Sequence, residues 1–347
     1  MGSTSQNSTM KAGQWDPKQQ KFFVNDIPIP EPGPGQFLIK IASASLCHSD
    51  ILATQAPLEE PFTIGHEGAG YIHTIGQGAE NRGFQIGDAV GFLYFDGGCY
   101  ECEGCLAHNS KCQKATALLH GFSTNGFFQE YATVDWQNSV ILPCNLDIKK
   151  ASPVFCAGIT AFHAVNSCSL QPKQWLAVIG AGGLGQLATQ YAKAMSLNVI
   201  AIDINDDTLA ICKSQGADYV FNSKTKPSYV EEIKKITNGG CHATAVFSAS
   251  NAAYASAPSI LRVNGILMVV GIAKEPLQVS TYDLAVASYR IMAESTGTPQ
   301  RMGKAVEFLA KHNIVPEVEF RKLEELDDMV KEMKAGQSQR RKVVVFE

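Results

Sequence analysis

Short apolar runs broken by glycine and proline characterise the first half of the chain. Such runs lie at Phe37 to Ile41, Gly70 to Ile75, Ala89 to Phe92 and Gln129 to Ala132. Turn residues such as Pro32-Gly33-Pro34-Gly35 separate them. Each run has the length and composition of a β-strand. This pattern is typical of a barrel-like all-β domain.

The pattern changes after about Ser152, where apolar strands begin to alternate with helical segments. Helices are predicted at Leu184 to Met195 and Thr208 to Gln215. The predicted strands are Trp175 to Ile179, Asn198 to Ile202, Tyr219 to Phe221, Ala243 to Ser248 and Gly265 to Val270. Strands that alternate with helices in this way predict a parallel, doubly wound sheet.

The last part of the chain mixes both patterns. After Ser295 we predict a helix from Met302 to Lys311, a strand from Glu317 to Phe320, a helix through Met333 and a final strand from Lys342 to Phe346. These elements are expected to return to the first domain. The predicted domains are therefore 1–153 with 295–347, and 154–294. The small polar residues Met1 to Met10 predict an N-terminal tail.

Composition narrows the class of protein. A chain of 347 residues is long for one core, which supports two domains. The net charge is −4 without a basic run, so nucleic acid is not an expected partner. No apolar stretch has membrane-spanning length and no signal peptide is apparent, so we predict a cytoplasmic protein. Its 10 cysteines are then expected to be metal ligands or buried side chains rather than disulfides.

A glycine-rich loop follows the strand that ends at Ile179. The residues Gly180, Ala181, Gly182, Gly183, Leu184 and Gly185 fit G-x-G-x-x-G and open a predicted helix. In this context the glycines allow a tight turn, approach of a pyrophosphate and close helix–strand packing. Asp203 ends the next strand and no arginine follows it, which favours NAD over NADP. The alternative is a structural turn with an exposed aspartate.

Four cysteines cluster on one short segment, at about 97–113. Cys99, Cys102, Cys105 and Cys112 have the spacing C-x2-C-x2-C-x6-C. Four thiolates would bind Zn²⁺ tetrahedrally with no open position, so the predicted site is structural. A disulfide pair or four free thiols is the alternative. His108 lies in the same segment and could replace one cysteine.

Three further segments suggest a second metal site of another kind. They are Cys47-His48-Ser49-Asp50, Gly65-His66-Glu67 and Phe155-Cys156-Ala157-Gly158. Two thiolates and one imidazole leave a fourth position open for an exchangeable ligand, which a catalytic zinc requires.

Together these segments resemble the zinc-dependent medium-chain alcohol dehydrogenases, most closely their shorter microbial branch. The likeness runs from Gly35 to the C-terminus and includes Gly65 to Gly70, Phe128 to Thr133 and Cys156 to Thr160. The resemblance implies a GroES-like catalytic domain, a Rossmann cofactor domain and an active site between them. It also implies two zinc ions per chain, a catalytic one on Cys47, His66 and Cys156 and a structural one on the four cysteines.

The resemblance implies roles for neighbouring residues as well. Asp50 would orient His66, Glu67 would approach the zinc during ligand exchange, and Ser49 would bind the substrate hydroxyl and carry its proton outward. The implied cofactor contacts, besides the glycine loop with Leu184 and Asp203, are His48, Thr160, Val270 and Arg341, with Arg340 as the alternative to Arg341.

The chain departs from the family pattern at Leu52 and in a short loop. The family's usual proton relay ends at a histidine in the position of Leu52, and leucine cannot carry a proton. The loop Ala53 to Pro61 is shorter than usual, which should open the pocket to substrates bulkier than ethanol. Tyr94, Leu58 and Phe62 are the expected pocket residues.

The resulting expectation is an enzyme that interconverts alcohols with aldehydes or ketones by hydride transfer with NAD(H). Zinc would stabilise the deprotonated alcohol, and hydride would pass from the alcohol carbon to the nicotinamide ring. Leu52 also allows a reductase of C=N or C=C bonds on the same fold, whereas a non-catalytic binding protein is disfavoured by the complete ligand sets. By analogy the chain forms a homotetramer, with a dimer as the alternative.

Overall fold

The structure is a computed structural model that describes residues 8–114 and 116–347. The first seven residues of the predicted N-terminal tail lie outside the described residues. Thr9 and Met10 already belong to the first strand, so the tail prediction was wrong for these two residues. Their strand pairs over its whole length with the following one, in the register Thr9↔Pro28 to Asp16↔Lys21.

The strands are numbered in chain order. They are β1 (Thr9–Asp16), β2 (Lys21–Pro28), β3 (Gln36–Ser45), β4 (Phe62–Thr63), β5 (Glu67–Ile75), β6 (Ala89–Phe92), β7 (Phe95–Asp96), β8 (Leu118–Leu119), β9 (Tyr131–Asp135), β10 (Ser139–Ile141), β11 (Trp175–Ile179), β12 (Asn198–Asp203), β13 (Tyr219–Asn222), β14 (Cys241–Val246), β15 (Leu261–Val269), β16 (Tyr289–Ala293), β17 (Val318–Arg321) and β18 (Arg341–Val345).

The α-helices follow the same convention. They are α1 (His48–Ala53), α2 (Glu103–Ala107), α3 (Ala157–Ser167), α4 (Gly183–Ala194), α5 (Asp206–Ser214), α6 (Tyr229–Ile236), α7 (Asn251–Ser256), α8 (Thr281–Ala285), α9 (Pro299–Lys311) and α10 (Leu326–Lys334). Among the described residues, no helix is long and apolar enough to cross a membrane.

The chain divides into two compact units. Unit 1 comprises Met1–Cys156, Gly297–Ala310 and Val318–Glu347, and unit 2 comprises Ala157–Thr296 and Lys311–Glu317. The borders differ slightly from the predicted ones, which lay after residue 153 and before residue 295. Lys311–Glu317 groups with unit 2, where the side-chain amide of Gln190 hydrogen-bonds both the carbonyl and the N–H of Val315.

Unit 1 is built mainly from antiparallel strands around one apolar core, and β17 at the edge of its main sheet pairs in parallel with β18. Its main sheet has the order β10-β6-β5-β3-β18-β17, with β9 also paired to β3, and β2-β1-β4 forms a second sheet. The core combines residues far apart in sequence, such as Phe37, Phe92, Phe127 and Leu326. Side chains that alternate between the two faces of a strand supply this core from sheets on either side of it. The predicted β domain is therefore present.

Unit 2 contains one six-stranded sheet in which every pair of neighbours is parallel. Its order, β13-β12-β11-β14-β15-β16, is the 3-2-1-4-5-6 order of a doubly wound dinucleotide-binding fold. The central strand β11 reads Trp-Leu-Ala-Val-Ile, and Leu176 to Val178 are fully buried, as strands covered on both faces require. The prediction of a parallel sheet is confirmed.

Candidate metal centre, cysteine lobe and dinucleotide loop

Four side chains of unit 1 converge at one point. The potential ligand atoms of Cys47, His66, Glu67 and Cys156 all lie within 4.8 Å of one another. Cys47 is the N-cap of α1, His66 and Glu67 stand at the start of β5, and Cys156 follows a 3₁₀ turn over Ser152–Phe155. The structure thus brings together the three residues predicted to bind a catalytic zinc.

Close packing against two glycines positions this centre. Gly65, directly before His66, has φ +103°, and a Cβ there would come within 2.6 Å of the Phe128 ring. At Gly91 a Cβ would lie 1.8 Å from the ring of Phe155, the residue before Cys156. Because only glycine leaves space for these rings, the two glycines fix where the imidazole and the second thiol lie.

Asp50 fixes the orientation of the imidazole. Its Oδ1 lies 2.7 Å from Nδ1 of His66, and its Oδ2 accepts a 2.8 Å hydrogen bond from the backbone N–H of Cys47. An ionised carboxylate only accepts, so Nδ1 of His66 carries the proton and Nε2 is left as the ligand atom. Asp50 is completely buried, which makes its two partners essential to it.

Glu67 is held on one side only. Its Oε2 accepts short hydrogen bonds from Ser45 Oγ and from Nη2 of Arg341. Its Oε1 is buried and has no hydrogen-bond partner among the described residues. Burial raises the pKa of Glu67 to about 7, although the Arg341 guanidinium opposes the shift. An unpartnered oxygen beside two thiols and an imidazole is what a site for a cation requires.

The two thiols of the centre share hydrogen bonding. The contact with Cys156, with further help from Arg341 and His66, holds the pKa of Cys47 well below its ordinary value. The same contact and burial raise the pKa of Cys156 well above its ordinary value. Burial lowers the pKa of His66, but Asp50 outweighs burial and the value lies well above the ordinary one. Zinc binds thiolates and neutral imidazole, so metal binding at this centre would release protons from Cys156 and His66.

Two aromatic rings cover the imidazole. The ring centroids of Tyr94 and Phe122 lie 5.1 and 5.2 Å from that of His66, and 5.9 Å from each other. Tyr94 was expected in the pocket, but Phe122 was not, because it lies beyond the cysteine segment and no local pattern distinguishes it. Leu58 and Phe62, the other expected pocket residues, are half-buried against the core of unit 1.

The remaining residues predicted around the catalytic zinc lie on α1 next to Cys47. Ser49 is half-buried and His48 is exposed. Leu52, the position of the missing relay histidine, is 55 % exposed one turn later on the same helix. Each remains available to a ligand, and their roles stay predictions.

The four cysteines of the predicted structural site also converge. Cys99 and Cys105 have their sulfurs 3.8 Å apart, as do Cys99 and Cys112. Four thiolates at about 2.3 Å from a tetrahedral zinc would be about 3.8 Å apart, so the spacing fits this metal. None of the four forms a disulfide. His108 instead places its Nδ1 2.7 Å from Ser110 Oγ.

Backbone amides support the sulfur of Cys102. This sulfur accepts hydrogen bonds from the N–H of Cys105 at 3.4 Å and of Gln113 at 3.3 Å. Gly104 allows the segment to close tightly, since a Cβ there would lie 1.7 Å from the carbonyl oxygen of Lys111. The segment thus presents a preformed four-thiol site, which we call the cysteine lobe (residues 97–117).

The glycine-rich loop of unit 2 has the geometry expected of a dinucleotide site. Gly180 has φ +94°, which makes the tight turn after β11. A Cβ on Gly185 would lie 1.9 Å from the carbonyl oxygen of Gly180, whereas a Cβ on Gly182 would meet no atom within 4 Å. Gly183 and Leu184 open α4, and its N-cap Gly182 makes no side-chain cap hydrogen bond. Tight turn, open approach and close packing are the three glycine roles that a pyrophosphate needs.

Asp203 lies at the end of β12 and connects to the same loop. Its Oδ2 accepts a 2.6 Å hydrogen bond from the N–H of Ala181, and its Oδ1 accepts from Ile204 and Asn205. The carboxylate is therefore fixed beside the loop, as a ribose-binding residue would have to be.

The other predicted cofactor contacts have different surroundings. Thr160 is buried in α3, and the N–H of Val270 donates to the hydroxyl of Tyr254. Arg341 is only 6 % exposed and pairs with Glu67. Its predicted contact with cofactor phosphates is not tested by these bonds and stays a prediction.

Comparisons with known proteins agree with this architecture. Residues 33–144 match the alcohol dehydrogenase GroES-like domain, and residues 183–311 match the zinc-binding dehydrogenase family. An alcohol dehydrogenase of Geobacillus stearothermophilus is 33% identical over 333 residues, which cover 94% of this chain and 97% of that protein. Fold and matches define a zinc-type oxidoreductase with a GroES-like and a Rossmann-like domain.

Solved structures show the same fold. The alcohol dehydrogenase of the archaeon Aeropyrum pernix superposes with a TM-score of 0.85 at 26% identity, over 97% of this chain and 100% of that one. Acetophenone reductase from Geotrichum candidum, solved in complex with NAD, gives 0.84 at 23% identity over 97% of each chain. With the matches above, this chain belongs to the zinc-dependent medium-chain alcohol dehydrogenase family.

Proposed function

We propose that this protein interconverts alcohols with aldehydes or ketones, with zinc at the Cys47, His66 and Cys156 centre and NAD(H) as the redox partner. The observation that supports it most is the convergence of these three ligands, with Asp50 bound to Nδ1 of His66 so that Nε2 is the nitrogen left for the metal. A fit of donor type and burial at one point is more specific than any of the motifs alone.

The residues of the two sites fit zinc and NAD(H). Bound zinc would polarise the substrate oxygen while the nicotinamide would accept or donate hydride. The chain's own residues would hold the zinc, orient its ligands and shield the centre from solvent. Cys47, His66 and Cys156 supply the ligand atoms. Glu67 supplies a buried carboxylate oxygen that has no hydrogen-bond partner in the described part of the chain, and Arg341 pairs with its other oxygen.

Ser49 is the proposed residue for the substrate proton. Its hydroxyl lies two positions after Cys47 on α1 and is half-buried, so it can contact both a substrate oxygen and solvent-facing groups. A hydroxyl both donates and accepts, which lets it pass a proton without holding a charge. Proton transfer by Ser49 therefore needs a further acceptor, which Leu52 cannot be.

NAD rather than NADP is proposed for unit 2. The fixed carboxylate of Asp203 suits two ribose hydroxyls and repels a 2′-phosphate. The NAD complex of the Geotrichum candidum reductase, which shares the fold, is compatible with this choice. The decisive comparison is the ratio of kcat/KM for NADH and NADPH, which we expect to exceed about tenfold in favour of NADH.

The experiment that tests the function is NADH consumption by zinc-replete protein with a panel of aldehydes and ketones. Cys156→Ser should lower kcat/KM by at least about 100-fold because it removes a ligand. Cys144→Ser is the matched control, since Cys144 is an exposed thiol outside both cysteine clusters. If no carbonyl compound is reduced, or if Cys156→Ser retains full activity, the proposal is wrong.

A specific observation also supports a second function, the reduction of C=N or C=C bonds. Leu52 removes the histidine at which the family's usual proton relay ends, and a double-bond reductase would need different proton handling. Cyclic imines and enones therefore belong in the same panel. Their reduction, without turnover of aldehydes and unaffected by Cys156→Ser, would favour this second function.

A further inference from the structure

The cysteine lobe lies between two short strands that are flanked by the aromatic rings of the candidate active site. Strands β7 and β8 pair antiparallel with Phe95 opposite Leu119, and the N–H of His120 donates to the carbonyl of Tyr94 at 2.8 Å. We call these strands with their flanking residues the ribbon (94–96 and 118–122). Tyr94 precedes β7 and Phe122 follows β8, so the lobe closes the hairpin that ends in both rings.

The two rings define one wall of the metal centre. Tyr94 meets the His66 ring edge-on at an interplanar angle of 71°, and Phe122 meets it at 42°. A substrate bound at the centre would contact this aromatic wall next to the imidazole. Any small shift of the ribbon therefore changes the space beside His66, because closely packed aromatic rings leave little free volume between them.

One buried amide links the lobe to the ribbon. Asn138, which has no exposed surface, donates from Nδ2 to the carbonyl of Phe95 in β7 and to the hydroxyl oxygen of Tyr100 in the lobe, each at 2.6 Å. Tyr100 lies between the first two cysteines with φ +59°, and its hydroxyl donates to Asp135. This unusual backbone conformation for tyrosine places the hydroxyl at the junction.

Carboxylates complete the junction. Asp135 also accepts from the N–H of Gly97 at 2.8 Å, where the lobe begins. In β7, Asp96 accepts two hydrogen bonds from Gln36 and lies 3.6 Å from Nε2 of His120 in the ribbon. The start of the lobe and both strands of the ribbon are thus bonded around this junction.

We propose that the cysteine lobe positions the aromatic wall beside His66, with Tyr100 and Asn138 as the positioning residues. The lobe then sets the size selectivity of the enzyme in addition to stabilising the fold. This inference rests on the proposed function for the location of the substrate. It predicts that loosening the Tyr100 junction changes the binding of bulky substrates while zinc remains bound to both sites.

The first test is hydrogen exchange, which needs no activity. Tyr100→Phe removes only the hydroxyl at the junction and should speed exchange of the ribbon amides, His120 among them, by about tenfold for two lost hydrogen bonds. Tyr131→Phe is the matched control, a partly buried tyrosine of unit 1 whose ring packs against His73. Zinc content is measured on both variants. Equal exchange in the two variants, with zinc retained, would overturn the proposal.

The second test separates KM from kcat across aldehydes of increasing size. Tyr100→Phe should change KM for an aromatic aldehyde by about 3–10-fold, while KM for acetaldehyde and kcat stay within about twofold. In a Phe122→Leu background the same substitution should have a smaller effect, because one of the two rings that it moves is gone. Additive effects of the two substitutions, or an equal change for all aldehydes, would contradict the inference.

The results distinguish a wrong inference about the lobe from a wrong proposed function. If the wild-type protein reduces no carbonyl compound, the function is wrong, but the exchange experiment still decides whether the lobe controls the ribbon. If carbonyl reduction is found and the ribbon does not respond to Tyr100→Phe, the function stands and the inference is wrong. Asn138→Ser, which removes both donated bonds, provides a second variant should Tyr100→Phe lose zinc.

Discussion

Replacement of Asp50 by asparagine should weaken zinc binding at the candidate catalytic centre, although Asp50 is not itself a predicted zinc ligand. The carboxylate accepts from two donors at once, Nδ1 of His66 at 2.7 Å and the N–H of Cys47 at 2.8 Å. An amide offers one acceptor and one donor. In Asp50→Asn one of the two N–H groups must therefore face an NH₂ group.

Either outcome harms the centre. If the amide nitrogen faces His66, the imidazole must protonate Nε2 instead, and Nε2 is the atom left for zinc. If it faces Cys47, a buried N–H loses its partner at the residue that supplies a thiolate. A lost hydrogen bond to a charged group costs about 1.5–3 kcal/mol, which corresponds to zinc affinity lower by about 10–100-fold.

The assay is zinc content after equilibration with graded concentrations of a chelator. The wild type is predicted to bind two zinc ions, and the zinc of the cysteine lobe serves as an internal reference. Asp50→Asn should release its first zinc at about 10–100-fold lower chelator concentration, while the second release stays unchanged. Asp26→Asn is the control, because Asp26 is a 58% exposed partner of Lys11. Coincident release curves for wild type and Asp50→Asn would refute the reasoning.

Three further outcomes are expected. Gly185→Ala should weaken NADH binding by more than about tenfold in a fluorescence titration, since its Cβ would overlap the Gly180 carbonyl, whereas Gly303→Ala, with no atom within 4 Å, should be neutral. Leu52→His, at a 55 % exposed site, should raise alcohol oxidation rates at low pH, and unchanged rates would contradict the missing relay. Burial and the neighbouring carboxylate raise the pKa of Asp135 to about 8. Between about pH 4 and 8 the folded state therefore holds a proton that the unfolded chain has lost, so stability falls as pH rises over this range and is level above it. Asp135→Asn should reduce the drop in Tm between pH 5 and 8, and an identical drop would argue against it.

Segments with a strong local pattern were predictable from the sequence. The strand Trp175–Ile179 is observed as predicted, because a short apolar run before a glycine turn has few alternatives. Helix α3 was missed, since Ala157–Val165 is buried at every position and carries no amphipathic period. Helix α1 has only six residues, and the one sequence feature that indicates its start is Asp50, three positions after the N-cap.

The candidate site was predictable to the extent that its residues fall in short motifs. The ligands and the glycine loop could be named because spacing and residue type restrict their chemistry. The contact of Arg341 with Glu67 joins residues from opposite ends of the chain, and that of Ser45 with Glu67 crosses between strands. Neither leaves a local pattern. The ring of Phe122 beside His66 likewise depends on the ribbon, which only the folded chain forms.

The two ligand sets differ in how far they extend along the chain, and this bears on how the protein acquires its metal during synthesis. The outermost cysteines of the lobe are only 13 positions apart, so a nascent segment can capture zinc before the domain folds. The other centre needs Cys47, His66 and Cys156, which meet only after most of unit 1 has been made and folded. Zinc at the lobe then binds the unfolded chain too and adds less to equilibrium stability. Zinc at the other centre stabilises only the folded protein. When zinc is scarce, we therefore expect a folded but inactive protein, with zinc in the lobe alone, to form first.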